Sequence, residues 1–172
     1  EFHLVVDEDK SDDLMKLESD ALRNVLKTMA ENKSKNPYKV FKELHYRIAK
    51  YMIANDEGFS PVHIMNHCIQ SVERLGSQAL AYGLKACDSA ASKFAWSELL
   101  LVINKLNNAE LLESGEPETR DQLYFYQAKG LRGVGRKGAQ QETHDILETL
   151  FDSQYLPAFD LFYPYFENEY VL

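Results

Sequence analysis

The sequence predicts an all-α protein, either an irregular bundle of seven or eight antiparallel helices or a short stack of helical hairpins. Three observations carry that expectation. Apolar residues recur at spacings of three and four from Leu14 to Phe162. Only 8 glycines and 5 prolines punctuate 172 residues, which favours long elements over a turn-rich β fold. The segments between apolar stripes are short, so consecutive helices should pack as antiparallel neighbours.

Residues 2–6 have the composition of a short strand without an evident partner, and an acidic stretch follows through Asp7, Glu8, Asp9, Asp12 and Asp13. The first helical stripe is Leu14, Leu17, Ala21, Leu22, Val25, Leu26 and Met29, with Asp12 or Asp13 suited to its N-cap. Asn36-Pro37 starts a second helix, because proline fits the first helical position. Its face is Val40, Phe41, Leu44, Ile48, Tyr51 and Met52, and Gly58 ends it.

Ser60-Pro61 repeats the start signal, and Ile64, Cys68, Ile69, Val72 and Leu75 form the next stripe, up to Gly76. Small residues at Ala79, Ala81, Gly83, Ala86, Ala90 and Ala91 then suit close helix–helix approach. Ser89 or Ser92 is the expected cap of a helix carrying Ala95, Trp96, Leu99, Leu100, Val102, Ile103 and Leu106. The polar stretch 107–117 is the best internal boundary of a single domain spanning 14–166. That domain lies between an acidic lead-in (1–13) and a tail (167–172). Helices are expected near 118–131 and 140–152, and a short aromatic one near 156–163.

Composition narrows the function classes. A net charge of −8 opposes phosphate backbones, so no nucleic-acid partner is expected. The longest apolar run, Leu99 to Ile103, falls far short of the ~18 residues of a membrane span. The acidic start lacks the basic region of a signal peptide. Two cysteines, Cys68 and Cys87, fit a reducing compartment, so a cytoplasmic location is expected; a single bridge between them stays open.

Several local patterns bear on chemistry. Gly133-Val134-Gly135-Arg136-Lys137-Gly138 spells G-x-G-x-x-G, but the preceding residues read as helix, so a connection between helices is expected rather than a dinucleotide site. Around it, Lys129, Arg132, Arg136 and Lys137 make a basic loop in an acidic chain, able to attract an acidic peptide. His63 and His67 stand one turn apart, a spacing that can hold a metal if His45, His144 or an acid folds close. Ile64 occupies the position where a zinc protease carries its glutamate base. Leu4 to Asp9 followed by a helix is similar to the opening of a receiver domain, but no strand–helix alternation follows. No nucleophile elbow is present, and both cysteines sit in apolar helical contexts where thiols are inert.

Residues 122–161 resemble a Sel1-type repeat, a relative of the tetratricopeptide helical hairpin. The resemblance lies in Gly133-x-Gly135 between two helices and in the following face of Thr143, Ile146, Leu150, Phe151, Tyr155 and Ala158. Gln154 departs from the glycine that ends the family's second helix, and Thr143, Leu150 and Phe151 stand where the family has alanines. The resemblance implies stacked hairpins that present a surface to another protein.

Phe159, Phe162, Tyr163, Tyr165, Phe166 and Tyr170 crowd the tail, more aromatics than one helix face can bury. The expected function is therefore non-catalytic: an adaptor, scaffold or regulatory module binding a peptide or partner domain, without a cofactor. Its candidate contact residues are Arg132, Arg136, Lys137, Tyr155, Phe159, Phe162, Tyr163 and Phe166. The alternatives are a metal-binding regulator or enzyme using His63 and His67, and a self-associating structural domain.

Overall fold

The computed structural model describes residues 37–135, 137–151 and 153–156. The strand expected at 2–6, the helix at 14–29 and the aromatic helix near 156–163 lie outside these residues, Leu156 excepted. Within them the fold is all-α. Six α-helices follow one another: α1 (Pro37–Ala54), α2 (Pro61–Gln70), α3 (Val72–Ser92), α4 (Trp96–Asn108), α5 (Pro117–Val134) and α6 (Ala139–Leu150). A 3-10 turn, Asp56–Gly58, sits between α1 and α2. Six is fewer than the seven or eight expected over the whole chain. Each helix packs on the next, and α3 also packs on α5.

Proline opens α1, α2 and α5, where its fixed φ suits the first turn and its missing N–H costs nothing. Two boundaries differ from the sequence reading. The stripe expected to run from Ile64 to Leu75 is broken at Ser71 (φ −117°, ψ 30°). There the hydroxyl donates to the carbonyls of His67 and Cys68, both at 3.1 Å, and so competes with continuation of the helix. A second non-helical residue, Leu75, kinks α3 one turn later. At the other end of α3, Ser92 does not cap α4. Its hydroxyl donates to the carbonyl of Ser89 at 2.9 Å, closing α3 instead. Ala95 takes the cap position of α4 after a tight turn in which Phe94 adopts φ 56°.

The main core joins α1 to α4 with Leu123 of α5. Ile64, Met65, Cys68, Leu99, Leu106 and Leu123 are fully buried in it. The small-residue segment makes the close approach expected of it, for a Cβ on Gly83 would stand 2.6 Å from Leu106 Cδ1. The connection between α4 and α5 is polar in sequence, yet Leu111 and Leu112 turn inward and join the same core. A second, smaller cluster lies between α5 and α6, where Phe125 and Ala128 meet Leu147 and Leu150. Beyond α6, Ser153 Oγ donates to Asp121 Oδ2 at 2.6 Å and ties the chain back to α5.

Candidate functional site

The glycine motif resolves into three separate structural duties. Gly133 is inside α5, where a Cβ would fall 2.2 Å from the Trp96 ring, so it permits contact between α5 and α4. Gly135 ends α5 in the left-handed region (φ 59°), and Gly138 precedes α6 with φ 86°. The basic residues are correspondingly not one loop. Lys129 and Arg132 belong to α5, and Lys129 Nζ lies 4.4 Å from the Phe125 ring centroid. Lys137 is exposed in the connection, whereas Arg136 lies outside the described residues. Tyr155 is exposed beyond α6 and accepts a hydrogen bond at its hydroxyl from Gln154 Nε2 at 3.0 Å. Phe159, Phe162, Tyr163 and Phe166 also lie outside the described residues.

The two histidines of α2 are not paired with each other. His63 is exposed, while His67 is half-buried and turns toward α1. There its Nδ1 lies 2.9 Å from Nδ1 of His45, with ring centroids 4.9 Å apart. One Nδ1–H donates and the other bare nitrogen accepts, so the contact holds a single proton between the rings. Phe41, one turn earlier on α1, stacks at 6.3 Å on His45 and steadies the ring. Burial, with help from the neighbouring His45 and His63, pushes His67 down to about 4; burial alone lowers His45. Among the described residues no group of three or more His, Cys, Asp or Glu side chains forms that could hold a metal.

This pair forms one wall of a cleft of about 670 Å³ between α1, α2 and α4. Lys42 and His45 come from α1, and Asn66, His67, Ile69 and Gln70 from α2. Lys105, Asn108 and Ala109 come from α4 and the residue after it. Lys105 Nζ donates to Asn66 Oδ1 at 3.0 Å, which directs the ammonium across from α4 to α2. None of these described lining residues is a carboxylate. Two ammonium groups, two imidazoles and three side-chain amides converge on one hollow. Such a set donates hydrogen bonds and positive charge, and it suits an anionic group.

Sequence reasoning missed Lys42, Asn66, Lys105 and Asn108. They are scattered over three helices and share no local pattern. His45 did leave a trace, since it interrupts the apolar stripe between Leu44 and Ile48 at a position four residues after Phe41. A polar ring on the edge of a buried face asks for a partner, and His67 supplies it.

Cys68 and Cys87 are unbridged and fully buried. Burial pushes Cys68 up to about 11 and, aided by Asp88, Cys87 up to about 12, the reverse of an activated thiolate. No helix of the described residues is long and apolar enough to cross a membrane. No family model, curated protein or solved structure matches the chain.

Proposed function

We propose that the chain is a non-catalytic interaction module, of adaptor, scaffold or regulatory type, that receives an acidic group of a peptide or partner domain. The receiving site is the cleft between α1, α2 and α4. The observation that carries this reading is the convergence of Lys105, His45 and His67 with the side-chain amides of Asn66, Gln70 and Asn108 on one cleft, with no carboxylate among its described lining residues. On a molecule of net charge −8, such a hollow is a local attractor for negative charge in an otherwise repelling field. Its volume falls within the ~300–1,000 Å³ typical of ligand pockets, enough for an acidic side chain and its flanks. The stacked-hairpin arrangement implied by the Sel1-type resemblance belongs to this proposal, as do Arg132, Lys137 and Tyr155 as further contact residues.

The test is fluorescence anisotropy with a labelled glutamate-rich peptide. K42E/K105E should weaken binding at least tenfold, and salt should weaken the wild type because the attraction is electrostatic. Charge reversal at Arg132, Arg136 and Lys137 should weaken it while leaving the helical circular dichroism signal intact. Equal affinity for wild type and K42E/K105E would remove the cleft from the proposal.

A metal-binding reading rests on the same imidazole pair. Ring nitrogens 2.9 Å apart approach the separation of two adjacent ligands on one ion at ~2.0–2.1 Å each. The lining lysines oppose a cation, which is why the anionic ligand is favoured. One equivalent of transition metal retained through purification would reverse that preference.

A further inference from the structure

α3 and α4 end in the same way. At α3 the N–H of Ala95 donates to the carbonyl of Ala90 at 2.9 Å, and that of Phe94 to Ala91 at 3.0 Å. At α4 the N–H of Leu111 donates to Leu106 at 3.1 Å, and that of Glu110 to Asn107 at 2.8 Å. Each closure needs one residue in the left-handed region, Phe94 (φ 56°) or Glu110 (φ 57°). The residue after it turns inward, so Ala95 and Leu111 both pack into the main core. The left-handed side chain is left outside. At α4 that side chain is a glutamate, which water solvates. At α3 it is a phenylalanine, 75% exposed, on a backbone that suits glycine and is rare for a bulky residue. The ring meets only the edge of Trp96, with centroids 5.8 Å apart and planes at 79°. The turn therefore accounts for a left-handed residue at 94 but not for an aromatic one. An exposed ring held beside a tryptophan is the form an interface anchor takes.

The two rings stand where α3, α4 and α5 meet, because Trp96 covers Gly133 of α5. Lys93, next to Phe94, is exposed. Lys137 is exposed as well, four residues beyond Gly133 and so at most ~14 Å from it along the chain. From Lys129 to Gln141 the sequence holds four basic residues and no acid. Glu98 is the one acid between residues 89 and 98. Aromatic and basic side chains thus share one end of the described helices.

We propose that this surface is the docking site of the chain's own residues 157–172, with Phe94 and Trp96 receiving tail aromatics and Lys93 and Lys137 attracting tail acids. Composition and reach select that occupant. The segment lies outside the described residues, and its sequence carries Phe159, Phe162, Tyr163, Tyr165, Phe166 and Tyr170 with Asp160, Glu167, Glu169 and no basic residue. It therefore complements the surface in both respects. Leu156, at its root, packs on the cluster that contains Ala128 of α5. Gly133 stands about 8 Å farther along the same helix, at a rise of about 1.5 Å per residue. Six residues of extended chain span about 20 Å, which brings the tail aromatics within range of Phe94. A tethered segment also meets the surface at an effective concentration near the mM range, an advantage over any free peptide. The inference does not depend on the cleft between α1, α2 and α4.

Photocrosslinking in the full chain tests the contact. Phe94→p-benzoylphenylalanine keeps an aromatic ring at the position and joins it to whatever lies against it on irradiation. Crosslinks within one chain should map to residues 157–172. The same probe at Glu110, the counterpart at the end of α4, should give about tenfold fewer of them, the tethered contact being specific to one surface. K93E/K137E should lower the yield about threefold, and so should high salt, because part of the attraction is between charges. Trp96 is the only tryptophan of the chain and reports cover directly. In F159S/F162S/F166S its emission should shift to the red and acrylamide should quench it more strongly. Crosslinks that join two chains assign the surface to a second copy and overturn the inference. So do crosslinks confined to other segments of the chain, an absence of crosslinks, or Trp96 emission unchanged in the folded triple variant. Should the probe at 94 prevent folding, the same probe at Phe162 decides, by mapping to residues 93–97 or elsewhere.

Discussion

His67 connects a half-buried ring to the stability of the protein. It stays neutral in the folded chain down to about pH 4, whereas an imidazole in the unfolded chain titrates near its ordinary value of about 6.5. Between those values the unfolded state binds more protons, so stability is complete above about pH 6.5 and is lost as pH falls toward 4. The loss amounts to at most about 3 kcal/mol. Urea midpoints measured in phosphate-free buffer should therefore drop between pH 7 and 5, and H67Q should level most of the slope. Thr143 carries a different expectation. It is fully buried, and its hydroxyl has no hydrogen-bond partner among the described residues. Thr143→Val keeps the shape and removes the unsatisfied group, so it should leave stability unchanged or raise it by about 1 kcal/mol in thermal denaturation. A clear loss would mean that the hydroxyl is satisfied in solution.

At the scale of the element, α5 shows why a motif is not a site. Gly133 and Gly130 let α5 lie against Trp96, Leu99 and Leu100 of α4, while Gly135 ends the helix. Alanine ordinarily stabilises a helix by about 1 kcal/mol relative to glycine. Gly133→Ala should do the opposite and cost about 1–3 kcal/mol, because the new methyl meets an aromatic ring rather than a flexible tip. Gly135→Ala should cost about 1–2 kcal/mol for the left-handed backbone alone. Gly58→Ala, with nothing within 4 Å of the added Cβ, is the neutral control. Chemical denaturation of the three variants orders them, and a stabilising Gly133→Ala would contradict the close contact with Trp96.

Two clusters of unequal size hold the described helices together, and they should not loosen together. Leu123 belongs to the large core shared by α1 to α5, whereas Leu147 belongs to the small one between α5 and α6. Both are fully buried, so truncation to alanine at either costs about 2–5 kcal/mol. The consequences should differ in extent. Leu147→Ala is expected to speed amide hydrogen exchange across α6 while α2 to α4 stay protected, and Leu123→Ala should loosen all of them. Uniform acceleration in both variants would indicate a single cooperative unit.

The helices and most of their inward faces were legible from residue spacing, because a 3.6-residue period is a property of neighbours along the chain. Proline starts at residues 37 and 61, and the small-residue face of α3, were readable for the same reason. The breaks at Ser71 and Leu75 were not, since the apolar pattern runs through them and one serine hydroxyl redirects the backbone. The cleft was not legible either. His45 and His67 are 22 residues apart, and Asn66 and Lys105 are 39 apart. Their meeting depends on how three rods cross, which follows from side-chain interlock in the common core rather than from any local pattern. Composition and spacing thus settled an all-α body of amphipathic helices. Packing alone chose which polar groups share a hollow, and in doing so paired His67 with α1 instead of with His63.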